Sequence, residues 1–313
     1  MSQTVIALGA HVFDVQVRPV EAIPDGQSAT LVDQIRFSPA GTAAGTALTL
    51  AKLGAAVRTA GAVGTDPIGD LLLSMLAAHG VDTSLVLRRD DTQTSASVLP
   101  IRPDGSRPAF HVLGANISYG PDDAPHTEIA EATHLHMGAP ELMGGEAAAK
   151  ILAPARAAGV VTSADLLVSG DSGLFDWIAP ALPYLDHLLP NEEQVLGLTG
   201  AATLEDGARN FLAEGVGCVA ITRGARGALV VTKDEAIEIP AFAVDVVDTT
   251  GCGDAFSAGF LRGLGLGRGL RECGVLGCTT SALVAQGLGS DHGDFDLPTA
   301  DAFATTAATL ESR

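Results

Sequence analysis

From about residue 133 onward, the hydrophobic positions of the chain follow two alternating patterns. Short apolar runs of strand length alternate with longer segments in which apolar residues recur at helical spacing. The predicted strands cover residues 133–137, 160–164, 185–189 and 218–222, and the predicted helices cover 145–158, 173–181 and 203–214. Strands that alternate with helices predict an α/β fold, in which helices cover both faces of a mostly parallel central sheet.

Two pairs of one-sided strands interrupt this pattern nearer the N-terminus. They span about 12–37 and 94–113, and a turn is predicted at Pro103-Asp104-Gly105. Strands with one apolar face can form a small sheet outside the main core. Because the 313 residues contain no fixed-period repeat and no evident linker, we expect a single domain, 1–313, with a β lid formed by these two segments.

The composition is that of an acidic globular protein. Hydrophobic residues make up 47% of the chain, and the formal net charge is −19. Such a negative charge argues against nucleic acid or an anionic membrane as a partner. No apolar run has the length of a membrane-spanning helix, and the four cysteines lack zinc-site spacing. We therefore expect a cytoplasmic protein without disulfides.

The strongest chemical signal is the stretch Asp248-Thr249-Thr250-Gly251-Cys252-Gly253-Asp254-Ala255-Phe256. A strand-like segment at 242–247 precedes it, and apolar residues at helical spacing follow it. Glycines at a helix N-terminus leave unpaired amides that can hold an anion, and the carboxylate of Asp254 could take a proton beside them. From these residues alone, a phosphoryl-transfer site and an ordinary glycine loop with Asp254 as a helix cap both remain open.

Two common nucleotide-binding signatures are absent from the sequence. There is no P-loop motif, and the glycines at 263–269 lack the spacing of the dinucleotide fingerprint and follow a helix. A P-loop enzyme and a Rossmann dehydrogenase are therefore disfavoured.

The stretch 248–256 resembles the C-terminal signature of the ribokinase-like (phosphofructokinase-B type) carbohydrate kinases. Shorter motifs of that family occur in the same order along the chain, at 39–54, 61–69, 114–116, 189–200 and 221–227. Each short motif is weak alone, but their order over some 250 residues makes the resemblance specific. It implies the ribokinase-like three-layer α/β/α fold, with a mostly parallel central sheet and a small β lid.

The resemblance places the catalytic chemistry at the start of the helix in this signature. It implies that Asp254 is the general base for the acceptor hydroxyl, and that the amides of Gly251, Cys252 and Gly253 form the anion hole. A helix N-terminus stabilises a carboxylate by about 0.3–1 kcal/mol, so we expect Asp254 to be ionised at neutral pH. We also hypothesise that the thiol of Cys252, where the family more often has alanine, is open to alkylation.

The ATP-binding residues implied by the resemblance are Asn191, Thr222, Gly224 and Gly227. Asn191 could also serve as a helix N-cap, and the two roles can coexist. The family usually has an acidic residue three positions after this asparagine, where this chain has Gln194. Because Mg²⁺ is held by carboxylates, water and substrate phosphates, Glu193 is the candidate to replace that acid. The implied cofactors are ATP and Mg²⁺.

The substrate-binding residues implied by the resemblance are Asp14, Gly41, Gly45 and Asn116. Many members of the family have asparagine where this chain has Gly45, and that asparagine contacts sugar hydroxyls. We therefore expect an atypical substrate or a compensating group, for which Asn116 is a candidate. Arg36, Arg102 and Arg107 could reach an anionic substrate, although an isolated arginine on a strand usually faces solvent.

The resemblance also implies a binding site for a monovalent cation and assembly into a dimer. The family often holds such a cation beside the anion hole, which here points to Asp248, Thr250 and the C-terminal loop at 282–291, with K⁺ as the candidate ion. Lid strands offer edges that could pair with a second copy, and the family is frequently dimeric. We therefore expect a homodimer that forms through the lid.

The leading hypothesis is an ATP-dependent phosphotransferase, a carbohydrate kinase that phosphorylates a hydroxyl of a small sugar or sugar acid. A nucleoside kinase of the same fold is the first alternative, although an aromatic content of 4% leaves few side chains to stack a base. The second alternative is a catalytically weak sugar- or nucleotide-binding protein, because Gly45 and Gln194 depart from the family pattern. The intact Asp254 argues against it.

Overall fold

The structure is a computed structural model that describes residues 3–103, 107–168 and 171–310. The strands are β1 (Thr4–Gly9), β2 (Val12–Arg18), β3 (Gln34–Ala40), β4 (Ala56–Gly64), β5 (Asp82–Arg89), β6 (Ala96–Pro100), β7 (Phe110–Val112), β8 (His134–Gly138), β9 (Val161–Asp165), β10 (His187–Leu188), β11 (Cys218–Thr222), β12 (Ala228–Val231) and β13 (Ala236–Ile239). The α-helices are α1 (Thr42–Lys52), α2 (Pro67–Ala78), α3 (His126–Glu131), α4 (Gly145–Ala157), α5 (Ser172–Ile178), α6 (Glu192–Thr199), α7 (Leu204–Ala213), α8 (Cys252–Gly265), α9 (Leu270–Val284) and α10 (Leu297–Thr306). Asp104 and Gly105 of the predicted turn lie outside the described residues.

The larger sheet has the strand order β13-β12-β11-β10-β9-β8-β1-β4-β5. Its pairs from β11 to β5 are parallel, and β12 is antiparallel to both β11 and β13. Successive side chains of β1 point to opposite faces, because Ile6 and Leu8 pack in one hydrophobic core and Val5 and Ala7 in another. The sheet is thus buried between two helical layers, which confirms the predicted three-layer fold.

A second sheet, of four strands, has the order β3-β2-β6-β7. Strand β2 pairs in parallel with β6 and antiparallel with β3, and β6 pairs antiparallel with β7. These strands come from the segments predicted at about 12–37 and 94–113, with β3 continuing to Ala40. The small sheet separate from the main one is therefore confirmed.

The two faces of the small sheet differ in polarity. The register places four buried polar residues on one face: Asp14, Gln16, Ser38 and Ser97. The opposite face carries Phe37, Val98 and Phe110, whose exposed fractions are 52%, 44% and 61%. A one-sided sheet usually buries its apolar face and exposes its polar face. This sheet does the reverse.

The prediction of a strand at 242–247 is wrong. The structure shows only an isolated bridge there, between Phe242 and Thr309. The amide of Ala243 donates to the carbonyl of Ala308 at 2.8 Å, and the amide of Val247 donates to the carbonyl of Ala285 at 2.8 Å. The segment is held by the C-terminal residues and the end of α9 instead of by a neighbouring strand, so its alternating pattern produces no ladder.

Helix α8 lies in the middle of one helical layer, where it packs against both α1 and α9. Its side chains Phe256 and Phe260 are fully buried and stack on each other, with ring centroids 6.1 Å apart. Through this packing the core fixes the position of the N-terminus of α8. Among the helices of the described ranges, none combines the length and the hydropathy required to cross a membrane.

Candidate active site

Helix α8 begins after a tight turn that requires glycine. The N-cap Gly251 has a φ of 75°, and a Cβ at this position would lie 2.3 Å from the Cβ of Ser290. At Gly253 a Cβ would meet no atom within 4 Å, so this residue borders open space. The amides of a first helical turn have no intrahelical acceptor and attract negative charge. The Cys252 amide also closes the turn, because it donates to the carbonyl of Thr249 at 3.2 Å.

A cavity of about 260 Å³ opens in front of this turn. Its polar and backbone walls come from two distant parts of the sequence: Cys252 and Gly253 of α8, and Thr222, Gly224 and Gly227 at the end of β11 and in the following turn. Apolar wall is added by Phe242, Phe256 and Leu310. The structure thus brings the predicted nucleotide turn and two anion-hole residues to one cavity, with an apolar surface for a base and amides for phosphates.

Asn191 lies beside this cavity wall. It forms an isolated parallel bridge with Thr222, whose amide donates to the carbonyl of Pro190 at 3.0 Å. The Oδ1 atom of Asn191 accepts from the amide of Gln194 at 2.8 Å, and the Oε1 atom of Gln194 accepts from the amide of Asn191 at 2.8 Å. Asn191 is therefore the N-cap of α6, and its predicted role in ATP binding remains a prediction.

Gln194, which stands where the family has an acid, belongs to the scaffold. It is buried, and its Nε2 atom donates to the carbonyl of Leu166 at 2.9 Å. Glu193 is exposed in the first turn of α6. Among the described residues, no cluster of His, Cys, Asp and Glu could enclose a metal ion. A protein site for Mg²⁺ would thus rest on isolated carboxylates together with the phosphates of the nucleotide.

Asp254 lies among other acidic groups. Burial, together with the negative charges of Asp165 and Asp14, raises its pKa well above the usual range, and Arg107 opposes this rise. The helix N-terminus therefore does not hold the pKa of Asp254 near its usual value, and the ionisation of Asp254 at neutral pH remains a prediction. A dipole effect of about 0.3–1 kcal/mol is smaller than the combined effect of desolvation and like charges at a buried site. Once ionised, a carboxylate of raised pKa is a stronger general base.

Asp14, on the polar face of the small sheet, is one of the two carboxylates whose charge raises the pKa of Asp254. Burial raises the pKa of Asp14 to about 6, while a hydrogen bond from Ser97 and the charge of Arg107 lower it. The predicted substrate residue Asp14 is thus close enough to the predicted base Asp254 for its charge to raise the pKa of Asp254. The side chains of both carboxylates can accept hydrogen bonds from hydroxyl groups.

Asp165 is a site residue that the sequence analysis missed. It ends β9 and is 5% exposed, and its Oδ2 atom lies 3.4 Å from Nε2 of His136, a fully buried residue of β8. Its Oδ1 atom has no hydrogen-bond partner among the described residues. A signal was available, because Asp165 directly follows the predicted strand at 160–164. Ligands bind at the carboxyl ends of parallel strands.

Arg107, in the loop between β6 and β7, brings a positive charge to this acidic pocket. Its Nε atom lies 3.4 Å from Oγ1 of Thr249 and 3.9 Å from Oδ1 of Asp248. Arg36, by contrast, forms an ion pair with Asp291 at 2.8 Å. Arg107 is therefore the candidate to place a cation close to the anion-hole turn.

Steric constraints favour glycine at two positions at the start of α1. Gly41, the N-cap of α1, has a φ of 98°, and a Cβ there would lie 2.5 Å from the carbonyl oxygen of Ala10. A Cβ at Gly45 would lie 2.4 Å from Oδ2 of Asp254. The carboxylate of Asp254 thus occupies the space that a side chain at position 45 would need. A larger side chain at position 45 would therefore require this carboxylate to move.

The side-chain amide of Asn116 forms hydrogen bonds within the protein through both its oxygen and its nitrogen. Its Oδ1 atom accepts from the amide of His11 at 3.0 Å, and its Nδ2 atom donates to the carbonyl of His11 at 3.0 Å. The side chain is buried and fixes the loop between β1 and β2. This pairing favours a structural role over the predicted substrate contact.

Asp248 and Thr250 hold the loop before α8 together. Oδ1 of Asp248 accepts from the amide and the hydroxyl of Thr250 at 3.0 and 2.8 Å, and Oδ2 accepts from the amide of Gly289 at 3.3 Å. Both side chains are buried. Their predicted part in binding a monovalent cation remains a prediction.

The thiol of Cys252 is shielded. It donates to the carbonyl of Ser281 at 3.6 Å, and burial raises its pKa to about 12. Alkylation requires the thiolate, which this raised pKa disfavours, but Cys252 is only partly buried and lines the cavity, so its reactivity remains a prediction.

The fold, the cavity between β11 and α8, and the glycine turn with Asp254 at one helix N-terminus are those of a phosphotransferase of the ribokinase-like class. The chain belongs to the pfkB family of carbohydrate kinases, whose family model matches residues 2–296. It is an enzyme of that family, a carbohydrate kinase.

Named relatives differ in their acceptors. The ATP-dependent ribose-1-phosphate kinase of Halopiger xanaduensis is 33% identical over 266 residues, which cover 82% of this chain and 83% of that protein. A nucleoside kinase of Methanocaldococcus jannaschii is 26% identical, with 90% of this chain and 89% of that protein covered. Among solved structures, the Arabidopsis thaliana ribokinase complexed with ribose and ATP has a TM-score of 0.83 at 23% identity and covers 97% of this chain and 99% of that chain.

The raised pKa of Asp254 predicts how activity depends on pH. Because only the ionised carboxylate can take a proton, kcat/KM should fall as the pH drops through this raised pKa, above the value of about 3.9 for a free aspartate. Asp165→Asn removes one neighbouring negative charge and should move this acid limb to lower pH. The measurement is kcat/KM against pH with the acceptor that the panel described below identifies.

Asp176→Asn, at an exposed aspartate of α5, is the control for the loss of one negative charge. Its acid limb should coincide with that of the wild type. An acid limb that stays in place in Asp165→Asn would contradict the electrostatic coupling of Asp165 to Asp254.

Proposed function

We propose that this enzyme transfers the γ-phosphoryl group of ATP, bound with Mg²⁺, to a hydroxyl group of a small sugar or sugar acid. The observation that carries the proposal is the position of Asp254. It directly follows the amide-lined turn at 251–253, which borders the cavity, and it marks the boundary between that turn and the acids Asp14 and Asp165, whose charges raise its pKa. A carboxylate at this boundary can reach a hydroxyl that attacks a phosphate held by the amides.

The reaction assigns a separate task to each group. The adenine would lie against the apolar wall of the cavity, and the phosphates would point to the turn at 251–253. Asp254 takes the proton of the acceptor hydroxyl. At the same time the acceptor oxygen forms a bond to the γ-phosphorus, and the bond between the γ-phosphorus and the leaving oxygen of ADP breaks. The amides of the turn, and Arg107 beside it, stabilise the negative charge on the transferred group.

Magnesium, when bound with ATP, neutralises phosphate charge and supports the departure of ADP. Glu193, exposed next to the capped start of α6, is the residue of this chain that we propose to hold it. Asn191 in the same turn would contribute through its Nδ2 group to the phosphates, since its Oδ1 atom is engaged by the cap.

A nucleoside kinase is the second candidate, supported by the name of the M. jannaschii relative. The acceptor pocket favours a polyol, because Asp14 and Asp165 supply carboxylates that can accept hydroxyl hydrogen bonds. Phe13, next to Asp14 in β2, is buried and packs against Phe37 with ring centroids 5.6 Å apart, so it does not offer a free face for stacking a base.

A panel that measures ADP release with Mg-ATP separates these candidates. Sugars, sugar acids, sugar phosphates and nucleosides should be tested as acceptors at equal concentrations. Turnover of sugars or sugar acids supports the proposal, and turnover of nucleosides alone favours the second candidate. ATP binding without any turnover would indicate the catalytically weak binding protein.

Asp254→Asn should keep ATP binding and lose most of the turnover. General base catalysis contributes roughly 10²–10⁴-fold, so kcat should fall by about that factor, while the cavity that binds ATP is unchanged. Calorimetry with a non-hydrolysable ATP analogue and steady-state kinetics provide the two readouts. Asp176→Asn again serves as the control, and an undiminished kcat in Asp254→Asn would refute the assignment of the base.

We also propose that the enzyme forms a homodimer through the small sheet. The support is the apolar face of that sheet, where Phe37, Val98 and Phe110 lie on adjacent or neighbouring strands and are exposed. Contiguous exposed apolar surface is uncommon on monomers and marks interaction sites. A second copy that brings the same face would bury it on both sides.

Phe110→Glu should therefore shift the enzyme from dimer to monomer, because each interface would contain two unpaired carboxylates. Light scattering after size-exclusion chromatography measures this change. Trp177→Ser, at an exposed aromatic residue of α5, is the matched control and should leave the mass unchanged. A wild-type protein that is monomeric at micromolar concentration would rule the dimer out.

Two further expectations remain open. Higher rates in K⁺ than in a non-coordinating cation would support the predicted ion near Asp248 and Thr250, and equal rates would count against it. All four cysteines are free, which agrees with the proposed reducing, cytoplasmic location.

A further inference from the structure

Lys52, the last residue of α1, binds three consecutive carbonyls of a loop near the C-terminus. Its Nζ atom donates to the carbonyl oxygens of Asp291, His292 and Gly293 at 2.7, 3.0 and 2.6 Å. The ammonium also lies 4.9 Å from the ring centroid of Phe295. An ammonium group has three N–H donors, so all the donors of Lys52 are used in hydrogen bonds to this one loop.

The same loop supports the turn before α8. Ser290 packs so closely against Gly251 that no side chain fits between them, and its hydroxyl donates to the carbonyl of Pro39. The amide of Gly289 donates to Asp248, which organises the turn. The residues that Lys52 holds follow Ser290 directly. A change in their path would therefore move the support on which Gly251 rests.

The surroundings of Lys52 are mixed in charge. The charged and titratable groups near it are Asp291, Asp294, Arg36, His79 and His292. Burial lowers the pKa of Lys52 to about 8, and the two aspartates oppose this change. Burying an ammonium is costly unless hydrogen bonds compensate it. The carbonyls at 291–293 supply that compensation, so the loop and the charge stabilise each other.

We propose that Lys52 acts as a tethered cation that positions the anion hole. Its ammonium holds the carbonyls of residues 291–293 in one arrangement, and Ser290 transmits that arrangement to the turn at 251–253. Lys52 does not touch the substrate, so it is a positioning residue. The inference rests on the proposed phosphoryl transfer, because the turn it positions is the one that binds the transferred group.

Lys52→Ala should lower kcat on the order of ten- to a hundred-fold, because small displacements of catalytic groups have effects of that size. The KM for ATP should change much less, since Lys52 lies outside the cavity wall. Added methylammonium should restore part of kcat by occupying the position of the missing ammonium. Choline, which has no N–H donor, should not restore it.

Lys150→Ala is the matched control, because Lys150 is an exposed lysine of α4. It should keep the wild-type kcat and show no response to methylammonium. Circular dichroism and Tm establish that each variant is folded. A folded Lys52→Ala variant with wild-type kcat would overturn the proposal. A loss of kcat that methylammonium does not restore would also overturn it, because Lys52 would then give only general structural support.

A second readout does not depend on turnover. Hydrogen exchange of the segments around 249–254 and 289–293 should accelerate in Lys52→Ala and slow again with methylammonium. Unchanged exchange at 249–254 would overturn the link between the loop and the turn. If the wild type phosphorylates no acceptor, the proposed function fails, whereas the exchange experiment still tests the positioning by Lys52.

Discussion

The close approach of three segments at the N-terminus of α8 is the constraint on which the site depends. Gly251 leaves no room for a side chain beside Ser290, and Gly45 leaves none beside Asp254. Because these contacts are made by backbone and by short side chains, the turn and the carboxylate have little freedom to move. The chemistry at this helix terminus is thus set by packing between α1, α8 and the loop after α9.

The electrostatics of the site follow from the same close packing. Asp14, Asp165 and Asp254 come from a strand of the small sheet, a strand of the main sheet and a helix, and the charges of the first two raise the pKa of the third. Arg107 enters from the loop between β6 and β7 and offsets part of the negative charge. The small sheet and its β6–β7 loop therefore contribute both a carboxylate and a cation to the site.

The sequence predicted the fold well, because ordered motifs and hydrophobic periodicity report local structure. It failed at 242–247, where alternation indicates an extended chain but does not reveal that the C-terminal residues and α9 provide its hydrogen bonds. The sequence alone did not predict the raised pKa of Asp254, since that shift comes first from burial and then from the charges of residues about 90 and 240 positions away in the sequence. Asp165 was predictable from its place at a strand end. Its partner His136 was not.

The contact between Gly45 and Asp254 has a consequence for how the family can diverge. A side chain at position 45 and the present orientation of the carboxylate exclude each other, because both would fill the same space. Because the end of the Asp254 side chain would have to move to admit a larger residue at position 45, a substitution there would also reposition the proposed base. The two positions are therefore coupled through one contact, and in the present arrangement a sugar contact at Gly45 would have to come from another part of the site.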